Sequence, residues 1–220
     1  MGTVSVTLVR QVFDNRLAGS LRLARDIRAY RVQGPRRIRA LTPSERAHLV
    51  EMAFIRMFLA WEDFLEESYI RYLRGGKTRR GRKAKPLVTV ISLHRARRLI
   101  YGEGRRYADW CEPSRVVERA RLHFKDGEPY ATPIDSAALH LNRMRVIRNR
   151  IAHRSEIAAR QFRDLLREFY GSGHRQQSPG AILLASPPPA ALPASGGAAQ
   201  PTLMDLCGSI LLGVAAQIVP

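Results

Sequence analysis

The sequence predicts an all-α fold: a helical bundle with a long insertion between its two main helices and a Pro/Gly-rich linker to a C-terminal helix. Three observations carry that expectation. Apolar residues recur at spacings of three and four from Ala47 to Tyr72, and again from Ile134 to Ile151, which places them on one face of a helix. Helix-start signals stand before these runs and before a third, shorter one. Runs that look like strands are confined to two short stretches, Val4 to Val9 and Leu87 to Leu93.

Residues 1–41 combine the first of those stretches with a basic, weakly amphipathic segment from Phe13 to Val32, closed by Gly34-Pro35, and suggest no role. Thr42-Pro43-Ser44-Glu45 then has Thr as N-cap, Pro at the first helical position and Glu in capping-box register. The helix it opens carries Ala47, Val50, Phe54, Met57, Phe58, Trp61, Phe64, Leu65 and Tyr72 on one stripe and stops at Gly75-Gly76. Its other face holds Glu62, Asp63, Glu66 and Glu67, the most acidic window of a basic chain. These acids suit a solvated face, or a charge-balancing or catalytic role beside arginines.

The run RGGKTRRGRKAK from Arg74 to Lys85 has no apolar period and is expected to be an exposed loop, equally suited to phosphate contact and to a solvated linker. Leu87 to Leu93 leads into a basic segment, His94 to Ile100, and Tyr101 to Tyr130 is irregular apart from a short helix from Pro113 to His123. The second long helix begins near Pro133 and runs to about Ala152, with Ile134, Ala137, Leu141, Met144, Ile147 and Ile151 facing the core. A third helix opens on Ser155 as N-cap, buries Ala158, Phe162, Leu165, Leu166 and Phe169, and ends at Gly171. Residues 171–202, rich in Pro, Gly, Ala and Ser, are expected to form a mobile linker, and residues 203–220 an apolar docking helix.

A formal charge of +18 and a pI near 11.2 point to a polyanionic partner, nucleic acid first. Only four of the 37 basic residues are lysines, leaving 33 arginines, an excess that base composition in the coding DNA also produces. Cys111 and Cys207 stand far apart with no CxxC or Cys/His spacing, which argues against a zinc site or a disulfide framework and fits a reducing cytoplasm. The opening MGTVSVTLVRQVFD lacks the pattern of a signal peptide. Leu203 to Val219 has about the minimum length of a membrane span but contains Asp205 and two glycines, so stable membrane insertion is not expected.

The chemistry concentrates in RVIRNRIAHRS, residues 145–155. At about 100° per residue Arg148 falls inside the apolar arc of the second long helix, where a guanidinium must be paired or face a cleft. Asn142, Asn149 and His153 share a neighbouring face. Because Ser155 caps a new helix, His153 stands where the second one ends and is released from the helical wheel. A guanidinium offers a planar, permanent charge to a phosphodiester, and an imidazole moves protons near neutrality. On spacing alone the signal is weak, and a helix-end histidine bonded to backbone with an arginine paired to an acid is the better explanation of the pattern.

Residues 42–170 resemble the HEPN superfamily, helical domains whose signature is an arginine, a polar residue and, a few positions on, a histidine (Rx4–6H). Here that is Arg148, Asn149, Arg150-Ile151-Ala152 and His153, the short form, within IRNRIAHRS. The upstream MAFIRMFLAWEDFLEESYIRYL is similar to the first HEPN helix, and residues 75–132 form an insertion beyond the minimal hairpin. The resemblance implies a four- or five-helix bundle that dimerises so that two motifs line one cleft. It implies a metal-independent endoribonuclease without cofactor, often a toxin or phage-defence effector with a cognate antitoxin, that leaves 2′,3′-cyclic phosphate ends. By position, Arg148 would bind phosphate, His153 would serve as acid and base, and Asn149 would orient one of them. Lys77, Arg79, Arg80, Arg82, Lys83, Arg150 and Arg154 are the expected RNA-binding residues. The competing expectation is a non-catalytic HEPN-like module that binds nucleic acid or protein.

Overall fold

The computed structural model describes residues 5–27, 29–33, 38–102, 108–172, 177–192 and 201–220. In chain order these form α1 (Thr7–Asp26), a hairpin of β1 (Arg31–Gln33) and β2 (Ile38–Ala40), α2 (Pro43–Leu73), α3 (Leu93–Tyr101), α4 (Pro113–His123), α5 (Ala131–Ala152), α6 (Glu156–Tyr170), α7 (Pro179–Leu184) and α8 (Leu203–Ile218). Two 3-10 turns stand at Lys125–Gly127 and Pro189–Ala191. The chain is therefore mostly helical, and a small sheet pairs β1 with β2 antiparallel in the register Arg31 to Ala40, Val32 to Arg39 and Gln33 to Ile38.

The predicted capping box starts α2. Glu45 N–H donates to Thr42 Oγ1 at 3.2 Å, and Thr42 N–H donates to Glu45 Oε2 at 2.7 Å, so two groups that the first turn leaves unpaired are satisfied. Arg39 grips the same carboxylate at 2.7 and 2.8 Å and, ahead of Thr42, pulls its pKa down to about 2. At the other end Gly75, at φ 78°, lets the chain turn left-handed. The N–H of Gly76 reaches Arg71 O at 2.8 Å and that of Gly75 reaches Tyr72 O at 2.9 Å, the paired bonds of a Schellman stop. Of the nine stripe positions all but Ala47 are buried.

The chain divides into two compact units. Unit 1 comprises Met1–Asn15, Ala60–Asn142 and Leu211–Pro220. Its interior is aromatic. Phe13, Trp61 and Phe64 lie with ring centroids 4.9–5.9 Å apart, and Tyr69 packs on Phe124 at 4.9 Å, Tyr130 at 5.1 Å and Trp110 at 5.3 Å. Each buried hydroxyl has a partner: Tyr130 OH with Ser68 Oγ at 2.9 Å, Tyr72 OH with Ile218 O at 3.0 Å, Tyr69 OH with Arg119 O at 2.7 Å. Burial pushes the Tyr72 hydroxyl up to about 12.

Unit 2 comprises Arg16–Leu59 and Arg143–Ile210. Phe162, Leu165, Leu166 and Phe169 of α6 are buried as their spacing predicts, and Ser155 Oγ caps the helix by accepting from Ala158 N–H at 3.3 Å. At the start of α8, buried Asp205 takes Arg25 at 2.7 Å and the Thr202 hydroxyl at 2.6 Å. No helix among the described residues is long and apolar enough to cross a membrane.

The local reading fails in three places. Thr7 to Val9, expected to be strand-like, open α1, because Val6, Val9, Phe13, Leu17 and Leu21 bury at helical spacing and that period outweighs β-branching; Val4 lies outside the described residues. Leu87 to Leu93 forms no strand: its backbone pairing goes no further than the isolated bridge of Pro86 with Phe124, closed by Leu87 N–H on His123 O at 2.8 Å, and Leu87, Thr89 and Ile91 are exposed. The basic stretch that follows is instead helix α3, capped by Ser92. Within the expected mobile linker, residues 179–184 form α7, whose Gly180 N–H donates to Glu51 at 2.8 Å. A Cβ there would stand 2.2 Å from Ala47 O, so only glycine permits this approach. The expected turn at Gly34-Pro35 and linker residues 173–176 and 193–200 lie outside the described residues.

Candidate functional site

Residues 145–155 belong to unit 2 and span the end of α5. The helix runs to Ala152 because Leu141, Met144 and Ile147 keep its stripe buried, and it stops because Ser155, extended at φ −69° and ψ 151°, caps the next one. His153 therefore lies beyond α5, although its N–H still closes the last turn on Asn149 O at 2.9 Å. Its ring is exposed.

Arg148 is half-buried, and its Nη1 donates to Asn149 Oδ1 at 3.3 Å. Asn149 thus holds both partners, the guanidinium through its side chain and the histidine backbone through its carbonyl. No hydrogen bond joins the Arg148 and His153 side chains among the described residues. Arg150 of the motif lines a cleft of about 350 Å³ shared with Phe162, Arg163, Leu166, Gln177 and Ser178. Arg163 in turn pairs with Glu156 at 2.7 Å and lowers its pKa, assisted by Arg160 and Arg150, so the field at this helix end is positive. Arg154 and Ser155 are exposed. A fixed guanidinium, further arginines and a solvent-facing imidazole are chemically suited to hold a phosphodiester and exchange its protons.

The remaining expected RNA contacts, Lys77, Arg79, Arg80, Arg82 and Lys83, are exposed and belong to unit 1. Backbone bonds organise their loop. Lys77 pairs antiparallel with Lys83, Thr78 N–H donates to Arg82 O at 2.9 Å, and Arg79 N–H donates to Thr7 Oγ1 at 2.9 Å.

Unit 1 also gathers titratable groups that no sequence spacing brings together. The Tyr69 hydroxyl lies 2.8 Å from His123 Nδ1 as well as against Arg119 O. Its single proton cannot serve both, so with that proton on the Arg119 carbonyl, His123 Nδ1–H is the donor to Tyr69. Burial, and then the Arg119 charge, lower the His123 pKa; burial lowers that of Arg119, whose guanidinium lies 4.5 Å over the Trp110 ring. The acidic window is engaged rather than merely solvated: Glu66 accepts from Tyr101, and Glu67 from Arg71 and, at 2.8 Å, Arg97. Burial and the Glu66 contact raise the Tyr101 pKa. The window and the i,i+4 pair of Glu67 with Arg71 are the sequence signals for this cluster, since its other partners are 30 to 54 residues away.

No family model, no curated protein and no solved structure matches this chain.

Proposed function

We propose that the chain is a metal-independent endoribonuclease of HEPN type, acting as a homodimeric toxin or defence effector on RNA in the cytoplasm. The observation that carries this reading is the end of α5, where Asn149 contacts Arg148 and the His153 backbone while the His153 ring faces solvent. In the proposed reaction a ribose 2′-oxygen attacks the adjacent phosphorus and the bond to the 5′-oxygen breaks. A neutral His153 takes the 2′-hydroxyl proton, a protonated imidazole returns one to the leaving 5′-oxygen, and Arg148 stabilises the added negative charge. The products are a 2′,3′-cyclic phosphate and a 5′-hydroxyl. Two copies of the motif in one dimer cleft would supply the two imidazoles, and Arg150 and Arg154 further phosphate contacts.

The test is incubation of the purified chain with total and transfer RNA in EDTA, with mapping of the ends. Cleavage leaving 2′,3′-cyclic ends, abolished in His153→Ala and Arg148→Ala, supports the reading. Tight binding without products would replace it with the non-catalytic module, and cleavage unchanged in His153→Ala would refute it.

A further inference from the structure

Unit 1 contains a second concave site, of about 240 Å³, whose charged walls are Arg82, Lys83, Lys85, Lys125, Asp126 and Glu128. From it we infer a binding site for a terminal phosphomonoester, the dianionic phosphoryl group at the end of a nucleotide or a nucleic-acid strand. The inference rests on how the walls are built, how they are charged and which cation the chain places there, and it is independent of the nuclease reading.

The walls are fixed by backbone. Lys83 is held by its antiparallel pairing with Lys77, and Lys125 N–H donates to Lys85 O at 2.9 Å, which ties the two sides together. Lys125 and Asp126 sit on a 3-10 turn that reverses through consecutive left-handed residues, Asp126 at φ 56° and Gly127 at φ 72°. A Cβ on Gly127 would stand 2.8 Å from the Ala131 Cβ, so the turn requires glycine twice over.

The charge is uncommitted. Arginines elsewhere make ion pairs, among them Arg10, Arg25, Arg39, Arg71, Arg97, Arg115, Arg121, Arg143, Arg163 and Arg167, whereas Arg82 and the lysines of this site make none among the described residues. Of the two carboxylates, Glu128 is already engaged by Thr132. Four cations against two carboxylates leave a net charge of +2. That balances a phosphomonoester, which carries about −1.5 to −2 at neutral pH, better than a backbone diester with a single charge.

The choice of cation points the same way. In a chain that uses arginine at 33 of 37 basic positions, three of the four lysines line this one site and the fourth, Lys77, pairs with Lys83. An ammonium is a compact point charge with three rotatable donors, suited to crowd around the three free oxygens of an end group, while the flat guanidinium fork suits two oxygens at a time. The volume is below the roughly 300–1,000 Å³ of sites that enclose a whole drug-sized ligand, so the phosphoryl end enters and the remainder stays outside.

The test is calorimetric titration of the full chain, at fixed salt, with inorganic phosphate, a nucleoside monophosphate, and a 2′-O-methyl oligoribonucleotide bearing either a 5′-phosphate or a 5′-hydroxyl. The 2′-O-methyl groups prevent cleavage, so nuclease activity has no bearing on the result. At least about tenfold tighter binding of the 5′-phosphorylated strand is expected, the worth of one or two charge-assisted hydrogen bonds. Lys83→Gln/Lys125→Gln should abolish that preference, and the charge-matched Arg79→Gln/Arg80→Gln should keep it while weakening both strands. Binding of the free phosphate or mononucleotide, lost in the lysine variant, would identify a small-molecule source for the same site. Equal affinity for the two strands with no binding of phosphate or nucleotide, or a preference that survives in the lysine variant with its melting temperature unchanged, would overturn the inference.

Discussion

His123 of unit 1 and His153 of unit 2 both stand where a helix ends, and their surroundings differ in every respect that governs reactivity. His123 closes α4 half-buried, with Nδ1 against the Tyr69 hydroxyl and Arg119 nearby. His153 follows α5 with its side chain exposed and its backbone N–H engaged by Asn149 O. A perturbed pKa alone selects His123 as the functional imidazole. Its ring, though, packs edge-on to Tyr69 at 6.0 Å, and the hydroxyl it meets is committed to a backbone carbonyl, an arrangement that explains the shift as the satisfaction of buried polar groups. An imidazole that must reach a ribose needs the exposure of His153.

Exchanging the two histidines' fates in separate variants is the strongest way to break this comparison. His153→Ala should lower RNA cleavage by at least about 10²-fold, the usual contribution of a general acid–base group, and move the urea midpoint by no more than about 0.5 kcal/mol in stability. His123→Asn should leave cleavage unchanged. Loss of cleavage in the second variant and not the first would transfer the active site to unit 1.

Next in size is Tyr69→Phe. Removing the hydroxyl strands Arg119 O and His123 Nδ1 beside an aromatic shell, and an orphaned buried group costs about 1–3 kcal/mol. Urea denaturation of both proteins reads the difference. A variant as stable as the native chain would mean that water already satisfies these groups, and His123 would then lose its structural explanation.

The same contrast shows why some of this molecule was legible from its residues. Elements defined by local periodicity and caps are where the sequence places them: α2 behind Thr42 and Glu45, α4 from Pro113 to His123, α6 behind Ser155. Elements decided by distant partners were not. The TVSVTLV stretch is β-branched, yet α1 forms because its spaced apolar residues bury; α7 forms in a Pro/Gly-rich stretch because Gly180 permits contact with Ala47. At the candidate site, RNRIAH and its helix end were visible locally, and so was the exposed loop of arginines. Invisible were the Asn149 contacts, the absence of a direct Arg148–His153 bond among the described residues, and the Tyr69–His123–Arg119 cluster, because side-chain meeting points depend on rotamer and long-range packing.

A smaller effect sharpens the unit 2 side. Ser155 separates the motif from α6 and its Oγ satisfies Ala158 N–H, so Ser155→Ala should cost about 1 kcal/mol as an N-cap loss. Restoration of stability in Ser155→Asp, an equally good cap, would assign the cost to capping and not to the motif. A deficit that persists in Ser155→Asp would mean that the hydroxyl serves something other than the helix start.

The smallest effect concerns pH. Burial, with Arg119 second, holds the folded-state pKa of His123 below the ordinary 6.5. Between those two values the unfolded chain binds more protons than the folded one, so stability rises with pH through this interval. The contribution of His123 is fully present above 6.5 and is lost as pH falls toward the folded value. Glu45, held at about 2 against an ordinary 4.5, acts only in a lower window, so titration kept well above 4.5 isolates the imidazole. Urea midpoints should fall more steeply on acidification in the native chain than in His123→Asn, which keeps a hydrogen-bonding group near Tyr69 without a titrating one. Parallel native and His123→Asn curves would show that water reaches the His123 ring freely, and the distinction between the two histidines would then rest on hydrogen bonding alone.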